Sequence, residues 1–234
     1  METNVLYNQD CLVGLKDLPD ESIDLVATDC PYHIVHNGTS MGGGIFADDR
    51  NEHARTGKLF AHNDIAFSEW LPDIYRVLKK GTHCYIMINS RNLCELQTEA
   101  ERVGFVYQNL LVWNKGNATP NKYYMQALEF ILMLSKRPAR DINDMGAKNL
   151  LTVPNIVGKK AHPTEKPVAL MAEMIRNSTN AGDIILDPFA GAGATLLAAQ
   201  RLGRHYIGFE IDPQYYTIAH HRLYQEPKQQ VLFI

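Results

Sequence analysis

Three short stretches of the chain gather side chains able to do chemistry, each beside a run that reads as a regular element. The first is TDCPYH, residues 28–33, which follows Ile23 to Thr28 (IDLVAT), a short apolar run of β-formers that reads as a buried strand. Asp29, Cys30, Pro31 and Tyr32 would stand at that strand's carboxyl end, where open α/β sheets bind ligands. The second is DIILDPFAGAG, residues 183–193, running on through ATLLAAQRLG and RHYIGFEID. It reads as strand, glycine turn, helix and strand, with Glu210 ending the second strand. Glycines let a backbone approach a ligand, and an acid at the next strand's tip accepts hydrogen bonds from ribose hydroxyls. The third is HPTEKP, residues 162–167, which compresses His162, Thr164 and Lys166 between two prolines ahead of a helix. Thr164 also reads there as a simple helix N-cap.

Two cofactor classes share the logic of the glycine turn. A dinucleotide wants G-x-G-x-x-G, so that a pyrophosphate can rest on the helix N-terminus, but the turn here is Gly191-Ala192-Gly193-Ala194-Thr195-Leu196 with no third glycine. Asp187 also projects toward the turn, where its charge opposes a pyrophosphate and welcomes a cationic amino group. S-adenosylmethionine, an amino-acid-bearing nucleoside with a positive sulfonium, suits that pattern better.

The elements that must position these stretches alternate along the chain. Strands are expected at 4–8, 23–28, 83–89, 106–113, 128–134, 183–187 and 205–210. Between them, Phe67, Leu71, Ile74 and Leu78 recur at helical spacing before Gly81, and Leu93, Leu96, Ala100 and Val103 before Gly104. Val168, Met171, Met174 and Ile175 form another stripe behind Pro167, and 194–202 and 214–224 complete the helices. Such alternation predicts a mostly parallel sheet covered on both faces. At 234 residues, one core is expected, and 45% hydrophobic with 21% charged residues excludes disorder as the main state. No apolar run approaches a bilayer span, METNVLYNQD lacks the form of a secretion signal, and Cys11, Cys30, Cys84 and Cys94 include no C-x-x-C pair. Free thiols in a reducing cytoplasm, no membrane and no metal site are therefore expected. The charge is uneven: residues 114–170 hold nine Lys and Arg against four Asp and Glu in a chain whose net charge is −3. That basic island suits a phosphate-contacting surface or an ordinary solvated face.

Taken together and in this order, TDCPYH, HPTEKP and DPFAGAGAT resemble the β-class of amino-group DNA methyltransferases, which modify adenine N6 or cytosine N4 using S-adenosylmethionine. The likeness spans nearly the whole chain, from VLYNQDCLVGLKDLPDESIDLVATDCPY onward, and includes the LVWNK and LEFILMLSK strands. It implies a single Rossmann-like α/β methyltransferase domain over residues 1–234, with a seven-stranded, mostly parallel sheet. The motif order is circularly permuted, so strand 4–8 should lie beside the strand ending at Glu210.

The resemblance also implies roles. Asp29 and the Cys30 carbonyl would accept the hydrogens of the target amine, Pro31 would stiffen the turn, and Tyr32 would stack on a base swung out of the duplex. Asp10, Asp29, His162, Thr164, Lys166, Asp187, Pro188, Phe189, Gly191, Gly193, Glu210 and Asp212 would line the cofactor site. Residues 33–63, with Gly38, Gly42, Gly43, Gly44 and four histidines, would close over substrate, and 114–160 would recognise target DNA. Within 114–160, Lys115, Lys122, Arg137 and Lys159 are the expected phosphate contacts, and a homodimer is a further expectation. One departure from the family pattern is Cys30, which stands where Asp-Pro-Pro-Tyr has its first proline; a small packed residue is expected there, not a nucleophile. Asp rather than Ser at 29 leans the target toward adenine. The alternatives are a cytosine-N4 enzyme, a nicotinamide-dependent oxidoreductase and a catalytically silent DNA-binding regulator.

Overall fold

The computed structural model describes residues 1–31, 65–119, 123–156 and 165–224. Its strands are β1 (Val5–Tyr7), β2 (Ile23–Asp29), β3 (Leu78–Ile88), β4 (Val106–Thr119), β5 (Gln126–Ser135), β6 (Leu150–Leu151), β7 (Ile184–Asp187) and β8 (His205–Phe209). The helices are α1 (Cys11–Gly14), α2 (Phe67–Val77), α3 (Leu93–Val103), α4 (Val168–Ser178), α5 (Ala194–Arg201) and α6 (Pro213–Tyr224). They surround one sheet of order β1-β8-β7-β2-β3-β5-β4-β6. Among the described residues, β5 runs antiparallel to both β3 and β4, and the other neighbouring pairs are parallel.

Strict alternation divides the core into two layers. Cys84, Ile86 and Ile88 of β3, with Leu132 and Leu134 of β5, pack against α2 and α3. Tyr85 and Met87, with Ile131 and Met133, face α4 and α5 on the other side. A side-chain period of two assigns each position its face, so register alone decides which groups share a cavity. The permuted order is seen directly, with Val5, Leu6 and Tyr7 pairing with Ile207, Gly208 and Phe209.

Three details depart from the sequence reading. The sheet has eight strands rather than seven, because Leu150 and Leu151 pair with Val112 and Trp113 at the edge. Leu78 belongs to β3, not to the preceding helix, and Gly81 lies inside that strand at φ +83° instead of ending a helix. Partners for this early start come from elsewhere: Lys79 pairs with Asp24, Gly81 N donates to the Lys136 carbonyl, and Lys136 Nζ donates to the Leu78 carbonyl at 2.8 Å. Finally, the N-cap of α4 is Pro167, so the cap expected at Thr164 is not used; Thr164 itself lies outside the described residues.

Among the described cations of the basic island, Lys115, Lys136 and Lys166 are drawn into internal bonding, and Arg137, Arg140 and Lys148 are exposed. Lys136 is buried, and Arg140 donates to the Ser178 carbonyl, which fastens the segment after β5 to the end of α4. Below the same segment, His83 is buried between Ser178 and the Arg140 carbonyl. Its Nε2 faces a carbonyl and must carry the proton, which makes Nδ1 the acceptor for Ser178 Oγ. Tyr85 then donates to that oxygen at 2.8 Å.

Candidate active site

The three chemical stretches meet at the carboxyl edge of the sheet, and described side chains join each pair of them. Asp29 ends β2 and Asp187 ends β7, adjacent parallel strands paired through Val26 and Leu186. Thr28 Oγ1 donates to Asp187 Oδ1 at 2.7 Å, fastening the first stretch to the second. Lys166 Nζ lies 2.6 Å from Asp29 Oδ2, fastening the third to the first. Arg222 of α6 closes the triangle, donating to the Ala192 carbonyl in the glycine turn at 2.6 Å and pairing with Glu165 at 2.9 Å.

Asp187 is buried, with its carboxylate accepting from Thr28, from Thr195 and from the Phe189 N–H. Burial outweighs these donors, and the negative charge of Asp29 adds to it, so its pKa is pushed up to about 6. A buried carboxylate in that condition has a strong electrostatic appetite for a cation. The turn beside it runs through Gly191 at φ +51° and Gly193 at φ +79°, a region that favours glycine. Among the described residues, a Cβ at Gly191 would meet nothing within 4 Å, so the turn leaves room for a ligand. Glu210 accepts from the Gly191 N–H and the Asp212 N–H, both at 2.8 Å, which aims its carboxylate at the turn. These donors and acceptors suit a nucleoside with a cationic amino-acid tail.

Asp29 is also raised above the ordinary carboxylate range, chiefly by burial and in smaller part by Glu129, while Lys166 opposes both. Cys30 is buried, its thiol pushed well up mainly by burial, and its Sγ points at the Met87 carbonyl at 3.6 Å. A protonated, packed thiol is no nucleophile, in keeping with the expected small residue. Pro31 follows it, half-buried.

The remaining predicted residues fall into three groups. Asp10 caps α1 by accepting from Leu12 N at 2.8 Å, next to Gln9, whose N–H donates to the Glu210 carbonyl. Asp212 caps α6 through Gln214 N, Pro188 is buried in the turn, and Phe189 packs edge-on against Trp70 with ring centroids 5.2 Å apart. Of the expected phosphate contacts, Lys115 turns inward onto Glu129 with its side chain 12% exposed. Arg137 is exposed but follows β5 at the opposite end of the strands; Ser135, two residues before it, pairs with His83, four residues and about 13 Å down β3 from the level of Asp29. Tyr32, Lys122, Lys159, His162 and Thr164, the loop 33–63 and the last ten residues lie outside the described residues. Sequence reasoning missed Thr28, Glu129 and Arg222. Thr28 stands within the quoted motif, but nothing local to Glu129 or Arg222 signals a partner distant in sequence.

This Rossmann-like sheet, with a glycine turn and two acidic strand tips on one edge, fits the S-adenosylmethionine-dependent methyltransferase class that the matches to known proteins show. The chain belongs to the N6/N4 DNA methylase family, whose model matches residues 23–155 and 144–221. It is 30% identical to the type II methyltransferase M.HinfI of Haemophilus influenzae, covering 94% of this chain and 68% of that protein. It is likewise 30% identical to the type II methyltransferase M2.DpnII of Streptococcus pneumoniae, covering 95% and 90%. The solved M1.HpyAVI–SAM complex superposes with a TM-score of 0.70 at 27% identity, covering 93% of this chain and 98% of that one. The cytosine-N4-specific PvuII DNA methyltransferase shares the fold at a TM-score of 0.74 and 19% identity, covering 98% and 90%. Among the described residues, no helix is long and apolar enough to cross a membrane, and no cluster of side chains could hold a metal ion.

Proposed function

We propose that the protein is a single-domain, sequence-specific DNA methyltransferase that modifies the exocyclic N6 of adenine. The observation that carries this reading is the triangle of contacts Thr28–Asp187, Lys166–Asp29 and Arg222 with Glu165 and Ala192, which converges the acceptor strand and the cofactor turn on one sheet edge. An exocyclic amine is a poor nucleophile because its lone pair is delocalised into the ring. Asp29 and the Cys30 carbonyl accept its two hydrogens, hold the nitrogen in line and favour its tetrahedral form. The proton released on alkylation passes toward Asp29, whose raised pKa fits an acceptor better than a fully solvated carboxylate would. S-adenosylmethionine supplies an activated methyl group on a sulfonium, with sulfur departing as a neutral thioether. Asp187 and Glu210 hold its amino-acid and ribose ends, and Phe189 and the two turn glycines shape the wall between them. The target base leaves the duplex to reach Asp29, and Tyr32 provides the stacking face. Asp rather than Ser at position 29 supports adenine over cytosine.

The test is methyl transfer from labelled cofactor onto mixed-sequence DNA, followed by nucleoside analysis. Labelled N6-methyladenosine is expected, and Asp29→Ala abolishes transfer while cofactor affinity stays within a few-fold of wild type. N4-methylcytosine as the product refutes the adenine assignment, and normal turnover by Asp29→Ala refutes the role given to that carboxylate.

A further inference from the structure

Among the described residues, Lys166 has the carboxylates of Asp29 and Glu129 within reach, and the second belongs to a strand with no cofactor motif. Its Nζ is 2.6 Å from Asp29 Oδ2 and 3.4 Å from Glu129 Oε2, and Glu129 Oε1 is in turn 3.3 Å from Lys115 Nζ. The result is a line of alternating charges, Asp29–Lys166–Glu129–Lys115. None of these side chains is more than 31% exposed.

Strand periodicity explains how the line arises. Leu25 and Ala27 of β2 face the α4 layer, and Asp29 follows on the same face. Asp29 is in register with Met87, Met87 with Ile131, and Glu129 lies two residues beyond Ile131 on that face. Trp113 of β4 pairs with Glu129, which makes Lys115 its diagonal neighbour, close enough for a long side chain. Lys166 drops in from the segment ahead of α4, over the same layer.

We propose that Glu129 is a positioning residue of the methyl-transfer site: with Lys115, it sets how firmly Lys166 holds the Asp29 carboxylate. The inference rests on reading Asp29 as the acceptor of the target amine. An ammonium bound to one carboxylate alone makes that group a poor acceptor. Glu129 draws part of the Lys166 charge away and leaves Asp29 more basic, while Lys115 draws Glu129 back. The β4–β5 hairpin is thereby tied to the acceptor, because a shift at the level of Trp113 and Glu129 redistributes charge on Lys166. Among the described residues, the other ionisable groups coupled to Asp29 are Cys30 on its own strand, buried and protonated, and Asp187 on β7.

The two flanking residues must therefore act in opposite directions, which a purely structural role would not produce. The full-length protein is labelled at aspartate Cγ with carbon-13 and titrated by NMR, the Asp29 signal being identified by its loss in Asp29→Asn. Glu129→Gln is expected to move the Asp29 midpoint to lower pH, and Lys115→Met to higher pH, each by at least about half a unit. Glu129→Asp, which keeps the charge, stays with the wild type, and thermal unfolding verifies that every variant is folded. Rates of methyl transfer at saturating DNA and cofactor should show their acid limb moving the same two ways. A midpoint unmoved in both variants, or moved in one direction by both, overturns the inference. The titration needs no substrate, so it fails or succeeds independently of the transfer assay on which the function of Asp29 rests.

Discussion

Replacing Thr28 with valine removes the hydroxyl that donates to Asp187 Oδ1 at 2.7 Å and nearly keeps the side chain's outline. Thr28 is fully buried, so water cannot replace the lost donor. A hydrogen bond to a charged group contributes about 1.5–3 kcal/mol, which corresponds to a rise of about one to two units in the pKa of its acceptor. With Asp187 at about 6 in the wild type, roughly nine-tenths of it is ionised at pH 7. The variant retains between about half and a tenth of that charge, so affinity for S-adenosylmethionine at pH 7 falls about two- to tenfold. At pH 9 the two proteins bind almost equally. Calorimetric titration with the cofactor from pH 5 to 9 follows this directly: the wild-type acid limb lies near 6, and the Thr28→Val limb lies one to two units higher. Stability of the empty protein runs the opposite way. Because the folded pKa lies above the unfolded one, the contribution of Asp187 is fully present below pH 3.8 and is lost as pH rises through about 6. Cofactor affinity that is flat between pH 5 and 8, or a variant limb displaced toward acid, refutes the assignment of Asp187 as the cationic partner's anchor.

Two further outcomes test the frame around the site. The His83 pKa is lowered, mainly by burial, so its contribution to stability is present above its ordinary value of 6.5 and is lost as pH falls through the folded value. His83→Gln should therefore show a shallower acid decline in melting temperature than wild type between pH 7 and 5, and equal slopes would refute the neutral Ser178–His83 bond. Gly14→Ala would place a methyl 2.1 Å from Phe209 Cε1, one residue before Glu210. The overpacking should cost about 1–3 kcal/mol in denaturant unfolding and weaken cofactor binding, whereas unchanged values would show that the ring moves freely.

The layered fold was legible because its cause is local. Short runs such as IDLVAT and DIILD can satisfy their apolar side chains only inside a covered sheet, and the helices between them carry one apolar stripe each. The permuted order came from the family resemblance rather than from any local signal, and β1 does lie beside β8. What misled was equally local. Leu78 fits the helical stripe, yet its backbone is extended, and Lys79 and Gly81 are bonded to partners on β2 and beyond β5. Net charge does not reveal direction either, so the basic island gave no sign of which described cations point inward. Lys115, Lys136 and Lys166 turn inward onto carboxylates or carbonyls, whereas Arg137, Arg140 and Lys148 are exposed.

Residue types and their spacing determined by themselves that Asp29 and Asp187 would end buried strands, that glycines would follow the second, and that Glu210 would close the unit. Each of those facts needs only the neighbours in the chain. Which charges then face one another was decided by register between strands far apart in sequence, because a shift of one residue turns every side chain to the other face. That is why the Thr28–Asp187 bond, the Arg222 clamp and the Lys166–Glu129 pair exist only in the folded molecule.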